Sequence, residues 1–174
     1  KKGSLGSDKI FHEAQLLADL FTKEGVKNLI LSCANSYDVV LVELAAFYSN
    51  IVLIPVPPFF TKEQLQHVIK DSKADYILTD CLEKLNAACV VKELGTLQLC
   101  FFAASKTYSG VSRITYTSGT TAEPKGVCLT YGSIWNRVQN LSEEIGATSE
   151  DIFMSFMPYG ILLEAVTGIY LPLL

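Results

Sequence analysis

Asn28-Leu29-Ile30-Leu31-Ser32 and Ile51-Val52-Leu53-Ile54-Pro55-Val56 are short, almost unbroken apolar runs, and Tyr37 to Tyr48 between them has helical length and period. An apolar run of four to eight residues bounded by turn formers reads as a strand covered on both faces. Strand–helix–strand rhythm of this kind argues for a largely parallel sheet. Pro57-Pro58 closes the second strand. This unit sets the fold class.

The pattern repeats in both directions. Upstream, Ile10, Phe11, Ala14, Leu17, Ala18 and Phe21 recur at helical spacing, and Gly25 supplies a stop. Downstream, Thr61 opens a helix with Gln64 three residues on as a capping-box partner, and that helix ends near Ser72. Asp75 to Thr79 reads as a third strand, Leu82 to Lys92 as a weaker helix, and Leu97 to Ala103 as a strand. Ser105 to Ser112 is polar and small, a loop. Arg113 to Tyr116 and Cys128 to Thr130 read as strands, and Tyr131 to Ile145 as a helix stopped by Gly146. The expectation is an α/β fold, a largely parallel sheet flanked by helices.

Composition excludes several classes. The chain has 174 residues, 49% hydrophobic and 18% charged, with net charge -4 and only Arg113 and Arg137 as arginines. It is long enough for one domain with a core and carries no basic stripe for nucleic acid. Cys33, Cys81, Cys89, Cys100 and Cys128 are scattered, with no paired spacing, and the histidines are His12 and His67. That pattern suits neither a zinc site nor a disulfide framework, so most of these thiols are expected buried and reduced in a cytoplasmic protein. His12 and His67 are expected to be surface or satisfied structural histidines. Phe47, Tyr48, Phe59 and Phe60 are expected in core or loop packing, and Asp80 is a candidate helix cap. The most apolar region, Val39 to Phe60, is broken by Glu43, Ser49, Asn50 and three prolines, too interrupted for a membrane span.

The chemistry concentrates in Tyr116-Thr117-Ser118-Gly119-Thr120-Thr121-Ala122-Glu123-Pro124-Lys125-Gly126-Val127, directly after a strand. Four hydroxyls surround Gly119, and successive backbone N–H groups in such a turn form an anion-binding concavity. Lys125 adds a full positive charge. The stretch reads as a phosphate-binding loop, distinct from the Walker loop because its lysine precedes a glycine and a strand instead of opening a helix.

These residues resemble the phosphate loop of the adenylate-forming enzymes, a group that includes acyl-CoA synthetases, luciferases and peptide-synthetase adenylation domains. The match runs from Tyr116 to Val127, with Ala122 where the family usually has glycine. Ala34-Asn35-Ser36 to Pro55-Val56-Pro57, the helix from Thr61, and Tyr76 to Asp80 extend it upstream. The resemblance implies that Thr117, Ser118, Gly119, Thr120, Thr121 and Lys125 contact ATP phosphates while a carboxylate attacks the α-phosphorus, giving an acyl-adenylate and pyrophosphate. ATP, Mg2+ and CoA are the implied cosubstrates, with a carrier protein as the alternative acceptor.

Met154-Ser155-Phe156-Met157-Pro158 through Tyr170-Leu171-Pro172-Leu173 is similar to the corresponding segment of long-chain fatty acyl-CoA synthetases, which makes Glu164 a second catalytic candidate. Ile161 and Tyr131 stand where relatives carry histidine. The apolar end Ile161 to Leu174 and the missing downstream motifs give the expectation that residues 1–174 are part of a large N-terminal domain, without the C-terminal remainder or small lid domain. The expected activity is fatty-acid activation. A fatty acyl-AMP ligase and a degenerate nucleotide-binding homologue are the alternatives.

Overall fold

A computed structural model describes residues 6–85, 89–94, 97–102, 106–117 and 123–174. The elements in chain order are α1 (Ser7–Glu24), β1 (Asn28–Ser32), α2 (Tyr37–Ser49), β2 (Val52–Pro55), α3 (Lys62–Ser72), β3 (Tyr76–Thr79), β4 (Cys89–Leu94), β5 (Leu97–Phe101), β6 (Arg113–Thr117), β7 (Lys125–Leu129), α4 (Tyr131–Ile145) and α5 (Leu162–Ala165). Helical backbone continues past α5 through Leu173. Among the described residues the strands form one sheet in the order β4-β5-β3-β1-β2-β6-β7.

The α/β expectation holds, with one refinement. The central four strands, β3-β1-β2-β6, are parallel, whereas β5 and β7 run antiparallel to them and the edge strand β4 pairs antiparallel with β5. Chain length explains the edges. A parallel crossover needs a dozen or more residues, and only residues 95–96 join β4 to β5 and 118–124 join β6 to β7.

Alternation along the central strands builds two cores. Leu29, Leu31, Leu53, Leu78 and Leu99 pack with Phe21 of α1 and Val39, Val42 and Ala45 of α2. Ile30, Ile54, Ile77 and Ile114 pack on the other face with Leu65 and Val68 of α3. Each of these fully buried aliphatic side chains contributes roughly 1.5–3 kcal/mol relative to exposure. Both faces are covered, which is why the strands read as continuous apolar runs rather than alternating ones.

Local signals place the helices. The Thr61–Gln64 capping box forms as expected, with Gln64 N donating to Thr61 Oγ1 at 3.2 Å and Thr61 N to Gln64 Oε1 at 2.9 Å. α1 and α4 stop at Gly25 and Gly146, both left-handed. Thr130 and Ser133 make a second capping box at the start of α4. The helix expected over Leu82 to Lys92 is a correction: among the described residues of that stretch only Leu82–Lys84 is helical, as one 3-10 turn, and Cys89–Leu94 is a strand. Cys89-Val90-Val91 favours extended backbone, and pairing with β5 decides the conformation.

The cysteines divide. Cys33 and Cys100 are buried as expected, but Cys81 is half-buried and Cys128, on the edge strand β7, is exposed. Burial, with Asp80 and Asp38 nearby, pushes the Cys33 thiol up to about 12, so it stays protonated and inert at neutral pH. Alkylation of the native protein followed by peptide mass mapping should label Cys128 first, and Cys33 only after unfolding. Early labelling of Cys33 would contradict that order. Among the described residues, no helix is long and apolar enough to cross a membrane.

Candidate active site

The carboxyl ends of the parallel strands converge on the residues singled out by the sequence. β6 ends at Thr117, and β7 returns at Lys125 in direct antiparallel register with it. Both side chains are exposed at this edge. The ladder therefore sets the lysine beside the first hydroxyl of the loop, although eight positions separate them. Ser118, Gly119, Thr120 and Thr121 lie outside the described residues.

A second wall comes from the segment before α5. Asn35, in the turn after β1, clasps it twice: Asn35 Nδ2 donates to the Met157 carbonyl at 2.7 Å, and Tyr159 N donates to Asn35 Oδ1 at 2.8 Å. Asp80 is not a helix cap; its carboxylate accepts from Ala34 N at 3.0 Å and ties down the same turn. Gly160 sits directly against the end of β2. A Cβ there would lie 2.7 Å from Pro57 N and 3.0 Å from Pro57 Cα. Backbone cannot yield as a flexible side chain can, so Gly160→Ala is expected to cost about 1–3 kcal/mol. Urea unfolding measures this, and an unchanged midpoint would refute the close approach.

Between these walls lies a hollow of about 470 Å³, lined by Pro57, Phe60, Thr115, Thr117, Ile161 and Leu162 among others. It is largely apolar and opens beside Thr117. Ile161 thus borders the hollow, whereas Tyr131 turns away: its hydroxyl donates to the Ala46 carbonyl at 3.1 Å and its ring meets Phe47 edge-on at 4.8 Å. Of the other aromatics, Phe60 is buried, while Phe47, Tyr48 and Phe59 are exposed.

Glu164 is 3% exposed and so lies inside the protein. Its Oε1 accepts the Phe156 backbone N–H at 3.1 Å and the Ser155 hydroxyl, so it anchors the 155–156 backbone from within. An internal carboxylate satisfied in this way holds the segment that leads into α5.

Several contacts around these residues escaped the sequence reading. His67, expected to be a surface or satisfied structural histidine, is a satisfied one, its Nε2 lying 3.0 Å from the Pro124 carbonyl, inside the loop motif. His12, by contrast, is exposed. Arg113, at the start of β6, is wholly buried and forked onto Glu43 of α2 at 2.7 and 2.8 Å. The Tyr170 hydroxyl donates to Glu43 at 2.5 Å. Burial opposes the charge on Arg113, but Glu43 and Tyr170 outweigh it and hold the guanidinium above its ordinary pKa. The Tyr170 phenol is pushed well up, by burial first and then by Glu43. The available signal is a lone acid, Glu43, set inside an apolar run, and a lone arginine, Arg113, at the start of a strand. Among the described residues, no cluster of three or more metal-ligating side chains occurs.

Comparison with known proteins shows the family and the fold. The model of the family described as AMP-binding enzyme matches residues 8–174. A 2-succinylbenzoate–CoA ligase from Bacillus cytotoxicus is 28% identical over 155 residues, 87% of this chain and 32% of the relative. Tyrocidine synthase 2 from Brevibacillus parabrevis is 27% identical over 148 residues, 79% of this chain and 4% of its own length. Among solved structures, o-succinylbenzoate CoA synthetase from Bacillus subtilis with its acyl-adenylate intermediate superposes with TM-score 0.76 at 17% identity, over 99% of this chain and 49% of that one. MatB from Rhodopseudomonas palustris gives 0.75 at 15% identity, over 98% and 38%. The chain thus spans at most about half the length of these relatives, and at such identities the structural likeness speaks for the fold. On the family match, the chain belongs to the AMP-binding enzyme family.

Proposed function

We propose that this chain forms part of the large N-terminal domain of an ATP-dependent carboxylate-activating ligase and binds the β- and γ-phosphates of MgATP. The observation that carries the reading is the register of Thr117 against Lys125, which brings the loop's hydroxyl and its cation to one point at the sheet edge. Ser118, Gly119, Thr120 and Thr121 complete the phosphate contacts expected from the sequence. When the substrate carboxylate attacks the α-phosphorus, an acyl-adenylate forms and pyrophosphate leaves. Lys125 serves to neutralise charge on that leaving group. Glu164 acts through Ser155 and Phe156, holding the backbone of the segment that leads into α5.

The apolar lining of the hollow favours an acid with a hydrophobic body, and CoA or a carrier protein then accepts the acyl group. The fatty-acid reading rests on Met154 to Leu174. The name of a relative supports 2-succinylbenzoate as a second class of acid. Carboxylate-dependent ATP–pyrophosphate exchange in the full-length gene product tests the proposal, with fatty acids of several lengths and 2-succinylbenzoate as substrates. Exchange with at least one acid, lost in Lys125→Ala, is the expected result. No exchange with any acid would overturn the reading and leave the degenerate homologue, which Ile161 and the displaced Tyr131 favour.

A further inference from the structure

We infer that α3 splints both stems of the phosphate loop, and that His67 is the positioning residue which sets Lys125 for MgATP; this rests on the function proposed above. His67 and Asp71 stand one helical turn apart and so share a face of α3. Asp71 Oδ2 accepts the Tyr116 hydroxyl at 2.6 Å, and Tyr116 immediately precedes Thr117. His67 Nε2 lies 3.0 Å from the carbonyl oxygen of Pro124, which immediately precedes Lys125. A carbonyl can only accept, so Nε2 carries the proton and donates. Nδ1 faces the exposed Glu123 carboxylate at 3.9 Å.

One helix therefore holds the incoming stem through a tyrosine and the outgoing stem through a histidine. Tyr116 also reaches across the hairpin: a Cβ on Gly126 would come within 3.0 Å of its ring. The β6–β7 ladder holds the outgoing stem from Lys125 onward, and Pro124 lies just before it. β7 is an edge strand with most side chains exposed, and among the described hydrogen bonds His67 is the side chain that reaches the Glu123–Lys125 backbone. A half-buried histidine on a helix surface adds little to global stability. It can nevertheless fix the carbonyl one residue before the cation.

The test is the ATP–pyrophosphate exchange of the full-length gene product, with KM determined separately for MgATP and for the carboxylate. His67→Ala should raise KM for MgATP about fivefold, as loss of one hydrogen bond predicts, with the carboxylate KM and the thermal midpoint unchanged. His67→Gln, whose amide N–H can reach the same carbonyl, should return KM to within about twofold of wild type. Asp71→Ala should act on the same parameter from the other stem. An unchanged MgATP KM in His67→Ala, beside exchange abolished by Lys125→Ala, overturns the splint and leaves the proposed function standing. A parallel rise in both KM values, or failure of His67→Gln to restore the first, also overturns it, because a general structural defect behaves that way. Wild-type protein without exchange takes both proposals down together.

Discussion

Lys125→Ala is expected to lower carboxylate-dependent exchange by a factor on the order of 10²–10³, the usual cost of removing one preorganised charge-stabilising group. Lys125 opens β7, is exposed, and stands in register with Thr117. Its backbone position is set by the ladder, so removing the side chain leaves the hairpin intact. Among the described residues no ion pair neutralises it. The charge is therefore available to a ligand instead of being spent within the fold. Surface substitutions away from special features usually change stability by less than about 0.5 kcal/mol, so a near-constant thermal midpoint is expected alongside the kinetic loss. Lys125→Arg should recover only part of the activity, since a planar fork does not occupy the place of a compact ammonium. Unchanged exchange across a full MgATP titration of Lys125→Ala would remove the lysine from the site.

The contrast between what the sequence revealed and what it concealed follows from the range of each interaction. Apolar runs such as Leu29 to Leu31, the Thr61–Gln64 cap and the Gly25 and Gly146 stops are local, and each reappears in the fold where the residues placed it. Leu82 to Lys92 misled because partner pairing overrode local period. The site divides in the same way. Tyr116 to Val127 announced itself because its residues are contiguous. His67 and Pro124 are 57 positions apart, Glu43 and Arg113 70, and Asn35 and Met157 122. Such pairs exist only once parallel topology has folded the chain back on itself, and without homologues to compare nothing in a single sequence links them.

Glu43→Ala is expected to be the most damaging substitution for stability, costing about 3–5 kcal/mol, because it strands a buried guanidinium. Arg113 is 2% exposed and Glu43 likewise, and the fork between them spans β6 and α2. Without the carboxylate, Arg113 keeps the Tyr170 hydroxyl at 3.1 Å and the Tyr159 carbonyl at 3.3 Å, neither of which carries compensating charge. Tyr170 loses its acceptor as well. Since a domain of this size is stable by only about 5–15 kcal/mol, urea unfolding should show a large fall in midpoint. The ion pair need not itself be a strong net stabiliser, because desolvation of two charges offsets most of their attraction. That distinction is measurable. Arg113→Met combined with Glu43→Leu removes both charges and keeps most of the volume, so the double variant should be more stable than Glu43→Ala. The same double variant releases Tyr159 and Tyr170 from their charged partners and so loosens the wall of the hollow that begins at Pro158. If the double variant proves as unstable as Glu43→Ala, the cost lies in those tyrosine contacts and not in the stranded charge, and the electrostatic account of this cluster fails.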